Sequence, residues 1–299
     1  MKNNLNMGVT LEKTKEKLCN LSKKFTKEIY DNYIDGKITS SDLPTILGVN
    51  RYTIELYMKK TGLKFRKDVL RKSIENTFFD NIDNEKKAYM LGYYYADGNC
   101  NLKHGNVSIT QTKSDSYIIE LFQQLSPHTK ITETKECVNK KTGYISKPTL
   151  SISIGSKHMA ETLESYGIGH NKTYESKTDF SFIPENLMIH FIRGYFDGDG
   201  TVCVTNGKKK IANKNGEIKE YNYSNYTWQI ICHNKEPLAI IQAFLSKKYD
   251  IYSNIIQEKR GGNYLLLVNR KKEFFKLRDV LYKDASYFLS RKKDKYFSF

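Results

Sequence analysis

With 299 residues, a net charge of +16 and an isoelectric point near 9.4, the chain is long enough for two or three modest domains. Its excess of cations suits a polyanionic partner. A mean hydropathy of −0.61, and no run approaching ~18 apolar residues, exclude a membrane-spanning helix and predict no membrane partner. Residues 1–17, MKNNLNMGVTLEKTKEK, lack the apolar stretch of a signal peptide, and Cys19, Cys100, Cys137, Cys203 and Cys232 form no CxxC pair. Both features predict reduced thiols in the cytoplasm or an organelle matrix, and no structural zinc.

Residues 1–80 read as an all-α region. Leu18, Leu21 and Phe25 anchor a polar first helix. Within Ser40–Leu63, Leu43, Leu47, Val49, Ile54 and Tyr57 fall at the apolar positions of a helix-turn-helix at about 40–63, with Gly48 at its turn. This segment resembles the helix-turn-helix of site-specific recombinases and small regulators. The resemblance implies that Asn50, Arg51, Thr53, Glu55 and Lys59 face DNA. A plain helical hairpin is the competing reading, and Pro44 is tolerable only in a first turn. Lys64–Asn81 reads as a basic linker helix.

From Asn84 a unit is repeated, over 84–178 and again over 183–299. The first copy reads helix (Glu85–Asp97), hairpin, helix (Ser114–Leu125), hairpin (Ile131–Val138 and Thr149–Ile154), helix (Lys157–Tyr166). The second reads helix (from Pro184-Glu185), a long basic hairpin (Thr201–Cys232), helix (Lys235–Lys247), hairpin (Asn254–Lys259 and Tyr264–Val268), helix (Lys271–Tyr282). An αββαββα unit used twice predicts an α+β fold with two four-stranded sheets about a pseudo-twofold axis.

The axis is marked by two stretches, YMLGYYYADG at Tyr89–Gly98 and HFIRGYFDGDG at His190–Gly200. Aligned on their last acids, Tyr89, Gly92, Tyr93 and Ala96 match Phe191, Gly194, Tyr195 and Gly198. These positions are i, i+3, i+4 and i+7, one stripe of a helix. Small residues four apart predict that two helices pack closely through Gly92, Ala96, Gly194 and Gly198. Each helix then ends in Asp-Gly, with Gly98 and Gly200 predicted in the left-handed C′ conformation. Asp97 and Asp199 would meet at the foot of that seam. Paired carboxylates at helix C-termini repel one another unless a cation lies between them, and hard oxygen donors favour Mg²⁺. An EF-hand reading of the DGDGT run fails, because its first and twelfth positions would be Tyr195 and Asn206.

The paired stretches resemble the LAGLIDADG homing endonucleases, in the double-motif, single-chain form, over roughly Asn84 to Phe299. Gly92 and Gly194 stand at the family's central glycine and Asp97 and Asp199 at its metal-binding acid. Tyr95 departs where Asp197 supplies an acid in the second copy. The resemblance implies a β-saddle over the DNA major groove. It also implies Mg²⁺, with Mn²⁺ as a substitute, held by Asp97 and Asp199 with the backbone at Ala96 and Gly198, and hydrolysis of one phosphodiester per strand. Lys172 and Lys292, at matching ends of the copies, would be catalytic cations, with Gln111 positioning water. Lys208, Lys209, Lys210 and Lys214 on the long hairpin would reach phosphates. The expected partner is double-stranded DNA, bound by a monomer that belongs to an intron, a mobile element or a free-standing gene. Two alternatives share the fold: a non-cleaving DNA-binding transcriptional regulator, and an intron RNA maturase. The six histidines show no HxH, HExxH or HNH spacing, which argues against a histidine-dependent nuclease.

Overall fold

The computed structural model describes residues 18–138, 142–143, 145–169, 179–212, 217–258 and 261–299; Lys172 and Lys214 lie outside them. The chain divides into two compact units. One is Met1–Ile74 with Ser126–Thr129; the other is Glu75–Leu125 with Lys130–Phe299. Among the described residues, no helix is long and apolar enough to cross a membrane.

The first unit contains α1 (Lys27–Ile34), α2 (Leu43–Leu47), α3 (Arg51–Thr61) and α4 (Arg66–Ser73). Leu21, Phe25, Tyr33, Leu43, Leu47, Ile54 and Met58 form its core. Pro44 sits in the first turn of α2, where a missing amide is harmless. Gly48 ends that helix at φ 67°, a left-handed conformation that favours glycine. Asn50 caps α3 by accepting from the Thr53 amide at 2.9 Å and the Thr53 hydroxyl at 2.8 Å. This cap corrects one expectation. Thr53 is turned inward and buried, so its side chain is not on the outward face of α3. The expected linker helix is also shorter than Lys64–Asn81, covering only Arg66–Ser73.

Residues 75–82 group with the second unit. The Glu75 amide bonds the Leu125 carbonyl, and Phe78, Phe79 and Ile82 are buried. Asp80 accepts from His158 at 2.8 Å and from the Thr162 hydroxyl at 3.1 Å. The first motif helix, α5 (Glu85–Asp97), follows. Asn84 caps it through the Lys87 amide at 3.0 Å, and Glu85 in the first turn suits the helix dipole. Tyr89 to Tyr95 are all buried, as in a helix enclosed on every side.

Both halves of this unit build the same sheet. In the first, β1 (Gly98–Asn101), β2 (Asn106–Thr112), β3 (Thr132–Thr134) and β6 (Thr149–Ile154) lie in the order β1-β2-β6-β3. In the second, β7 (Gly200–Ala212), β8 (Ile218–Cys232), β9 (Asn254–Gln257) and β10 (Tyr264–Val268) lie in the order β7-β8-β10-β9. All pairings are antiparallel. The expected second hairpin of the first copy is interrupted. A separate ribbon, β4 (Cys137–Val138) with β5 (Ile145–Ser146), stands between β3 and β6. The helices α6 (Ser116–Gln123), α7 (Lys157–Ser165), α9 (Lys235–Tyr249), α10 (Lys271–Tyr282) and α11 (Ser290–Phe297) complete the unit. The second motif helix, α8, runs Met188–Asp199 and not from Pro184. The Pro184 carbonyl instead accepts the Leu187 and Met188 amides in a preceding turn.

The two motif helices meet at their glycines. A Cβ on Gly92 would lie 2.0 Å from the Phe191 carbonyl oxygen, and one on Gly194 would lie 2.1 Å from that of Tyr89. A Cβ on Gly198 would lie 2.4 Å from the Cβ of Ala96. The small stripes therefore face each other, as the spacing predicts. Gly98 and Gly200 differ from expectation. Both are extended, at φ −75° and −82°, and each begins a strand. They are glycine for lack of room, because a Cβ would strike the Tyr94 ring at 2.3 Å and the Phe196 ring at 2.0 Å.

Gly194→Ala puts a methyl into backbone that cannot yield. Overpacking typically costs ~1–3 kcal/mol, so thermal denaturation should show a melting point lower by several degrees. An unchanged melting point would contradict the close crossing.

Candidate active site at the helix seam

Asp97 and Asp199 end the two motif helices side by side, and both are exposed. The Asp97 Oδ2 lies 3.3 Å from where a Cβ of Gly198 would stand, so the first carboxylate rests against the neighbour of the second. Gln111 donates its side-chain Nε2 to Asp97 Oδ2 at 2.9 Å. Strand register explains this contact. Gly98 pairs with Ile109, so Gln111, two residues on, returns to the helix-facing side of β2 beside the end of α5.

The same register shows what stands beside Asp199. Gly200 pairs with Ile230, which makes Cys232 the counterpart of Gln111. Asp199 and Cys232 line one cleft of about 170 Å³, together with Tyr95, Ala96, Tyr195, Ile231, His233 and Asn263. His233 Nδ1 is 3.3 Å from Asn263 Oδ1. The two carboxylates thus have unlike neighbours, an amide donor on one side and a thiol and imidazole on the other.

Lys292 is buried at the C-terminal end of α8. Its ammonium donates to the Gly200 carbonyl, lies 3.5 Å from the Phe196 carbonyl, and stands over the Phe196 ring. A cation there opposes the negative end of the helix dipole. Desolvation first, then the charge of Arg291, pushes its pKa down to about 8, while Asp197 and Asp199 pull the other way. Arg291, the adjacent cation, instead grips the buried Asp115 with Nε at 2.8 Å and Nη2 at 2.7 Å. Arg51 is exposed and paired with Glu55 at 2.9 Å, and Lys59 is also exposed. On the long hairpin, Lys209 lies on the open face of the sheet. Lys208 and Lys210 alternate to the opposite face, where Lys208 pairs with Glu220 at 2.8 Å.

Can these residues hold Mg²⁺? Two exposed carboxylates at paired helix ends supply hard oxygen donors. Mg²⁺ usually binds one or two carboxylates plus substrate phosphate, and that donor set fits. Among the described residues, no group of three or more His, Cys, Asp or Glu could hold a metal. The remaining ligands would therefore come from substrate, water and the backbone at Ala96 and Gly198.

Sequence reading missed a buried polar network behind the seam. Asp197 is fully buried and accepts from the Tyr89 hydroxyl at 2.9 Å, the Leu289 amide at 2.7 Å and the Tyr282 hydroxyl. Arg193, also buried, donates to the Tyr287 carbonyl at 2.7 Å, the Leu281 carbonyl at 2.9 Å and Glu85 at 2.6 Å. Glu85 in turn accepts the Ser286 and Tyr287 amides. The signal was present: Arg193 and Asp197 are four apart in an otherwise apolar helix. Their counterparts in the first copy are Leu91 and Tyr95. Tyr95 packs edge-on against Tyr195 and Phe180, so an aromatic cluster fills the place of the network.

Burial pushes the Asp197 carboxyl up to about 6, against the opposing pull of Tyr282, Leu289, Tyr89 and Arg193. An acid with a higher pKa folded than unfolded takes up a proton on folding. Its contribution therefore favours the folded state as pH falls from about 6 toward 4, and opposes it above 6. Urea denaturation at pH 5 and pH 7 should show wild type gaining on Asp197→Asn at the lower pH. A difference independent of pH would contradict this assignment.

Residues 186–279 match a family model described as a LAGLIDADG-like domain. No curated protein sequence matches the chain. Among solved structures, full-length DUF199/WhiA from Thermatoga maritima is similar at 14% identity and a TM-score of 0.41, over 76% of this chain and 65% of that one. The chain thus spans less than two thirds of that protein. The homing endonuclease I-WcaI bound to its DNA recognition sequence is similar at 15% identity and a TM-score of 0.48, over 74% of this chain and 90% of that one. The LAGLIDADG homing endonuclease I-SmaMI bound to cleaved DNA is similar at 13% identity and a TM-score of 0.46, over 73% and 87%.

Proposed function

We propose that the chain, whose residues 186–279 match a model of the LAGLIDADG-like domain, is a monomeric, metal-dependent, site-specific DNA endonuclease. The observation that carries this reading is the meeting of Asp97 and Asp199 at one end of a glycine-lined helix seam. Two exposed carboxylates brought to the same end of a helix pair disfavour one another's charge. They make sense where a cation and a phosphate backbone join them.

In this reading Asp97 and Asp199 hold Mg²⁺ or Mn²⁺, which supplies charge neutralisation of the phosphate and a more acidic water. Gln111 fixes the orientation of Asp97 and would orient water beside it. Lys292 neutralises the end of α8 and sets the position of Gly200 beside Asp199. Lys172, at the matching end of the first copy, takes the equivalent role there in this reading. Exposed Lys209 extends the open face of the second sheet toward phosphate, and Arg51 and Lys59 offer the same from the first unit. One chain supplies both carboxylates, so no second copy is needed.

The test is a plasmid and oligonucleotide cleavage assay on a selected target with Mg²⁺ or Mn²⁺. Asp97→Asn and Asp199→Asn should each abolish double-strand cleavage while DNA affinity is kept or rises, because each removes a negative charge near phosphate. Wild type that binds duplex DNA but never cuts would make the non-cleaving regulator the better reading. Preference for structured intron RNA over duplex would favour the maturase.

A further inference from the structure

The open faces of the two sheets carry different chemistry at matching positions. Register fixes the match. Ile109 corresponds to Ile230, so Thr110 corresponds to Ile231. Thr110 pairs with Ser151, and Ser151 with Thr132. Ile231 pairs with Leu265, and Leu265 with Ile256. Thr132–Ser151–Thr110 in one sheet and Ile256–Leu265–Ile231 in the other are therefore equivalent rows across three strands. Neighbours on either strand point the other way. Ile109 and Ile152, like Ile230 and Leu266, are buried on the helix-facing side. The two rows thus lie on the faces turned away from the helices.

In the first sheet this face is hydroxyl-rich: the Thr110 and Ser151 hydroxyls are 2.9 Å apart, and Ser108 and Ser153 follow in the next row. In the second sheet the equivalent row is aliphatic, and in the next row Leu267 takes the position of Ser153 between Gln229 and Asn254. Ile256 is 46% exposed on the edge strand, Ile231 is half-buried, and Leu265 between them is buried. The part of this row open to a ligand is Ile256 with Ile231. The same face of β7 and β8 carries Lys209 and Lys219, and the whole chain is strongly cationic, so the charge suits duplex DNA better than another protein. In the major groove only thymine offers a methyl group to an apolar side chain.

We propose that Ile256 and Ile231, backed by the buried Leu265, read thymine methyl groups in one half of the DNA target, while the Thr132–Ser151–Thr110 row reads hydrogen-bonding edges in the other. This rests on the proposed DNA binding but not on cleavage, so it holds equally for a non-cutting binder.

The full chain is first used to select its site from a random duplex library. Affinity is then measured with deoxyuridine replacing thymidine in one half-site at a time, which removes only methyl groups. Affinity should fall about fourfold per contacted methyl in one half and stay within twofold in the other. Ile256→Thr, an exposed position given the residue its counterpart already carries, should reduce that sensitivity without changing the melting point. Equal sensitivity in both halves, or none on a tightly bound duplex, would overturn the proposal. So would methyl sensitivity unchanged by Ile256→Thr, or an Ile256-dependent dimer in sedimentation. If no duplex is bound, the DNA-binding reading fails and takes this one with it.

Discussion

The crossing of the two motif helices at Gly92 and Gly194 is the constraint on which the second unit depends. Only a missing side chain allows a backbone carbonyl to occupy the space a Cβ would need. Each helix ends in the last acid, and the next residue is the first of a strand. Helix pairing, carboxylate placement and sheet origin are therefore one geometric fact. A methyl at the crossing would disturb all three together, because close-packed interiors transmit displacement instead of absorbing it.

Around that crossing the pseudo-symmetry holds in the order of the main sheet strands and is broken in chemistry. The sheets share strand order and register, yet Gln111 corresponds to Cys232, Tyr95 to Asp197 and Leu91 to Arg193. The polar network of Glu85, Arg193, Asp197, Tyr89 and Tyr282 draws the 281–289 segment onto both motif helices. Breaking one partner of such a buried set is costly because its other members lose their partners too. The first copy replaces it with aromatic packing. A duplicated fold with unequal halves is suited to an unequal, non-palindromic ligand.

Much of this was legible in the sequence where periodicity and pattern act locally. The first motif helix, α10, β10 and the facing small stripes follow directly from apolar spacing and caps. Pro184-Glu185 reads as a helix start, yet it makes a turn that is bonded like one and does not continue into α8. Gly98 and Gly200 were assigned to a left-handed cap because Asp-Gly after a helix usually signals one; the rings of Tyr94 and Phe196 set a different need, visible only in three dimensions. The helix-turn-helix resemblance turns Thr53 outward, but the Asn50 cap draws it in. The partners of Asp197 come from as far as Tyr89 and Leu289, beyond any local pattern.

The central claim is that Asp97 and Asp199 act as one metal site completed by DNA. Manganese binding to the full chain with its selected duplex, followed by electron paramagnetic resonance, tests it most directly. The account predicts bound Mn²⁺ that depends on duplex, weakens in Asp97→Asn and in Asp199→Asn, and is lost when both are substituted. Mn²⁺ bound equally by the doubly substituted chain, at unchanged affinity, would contradict it.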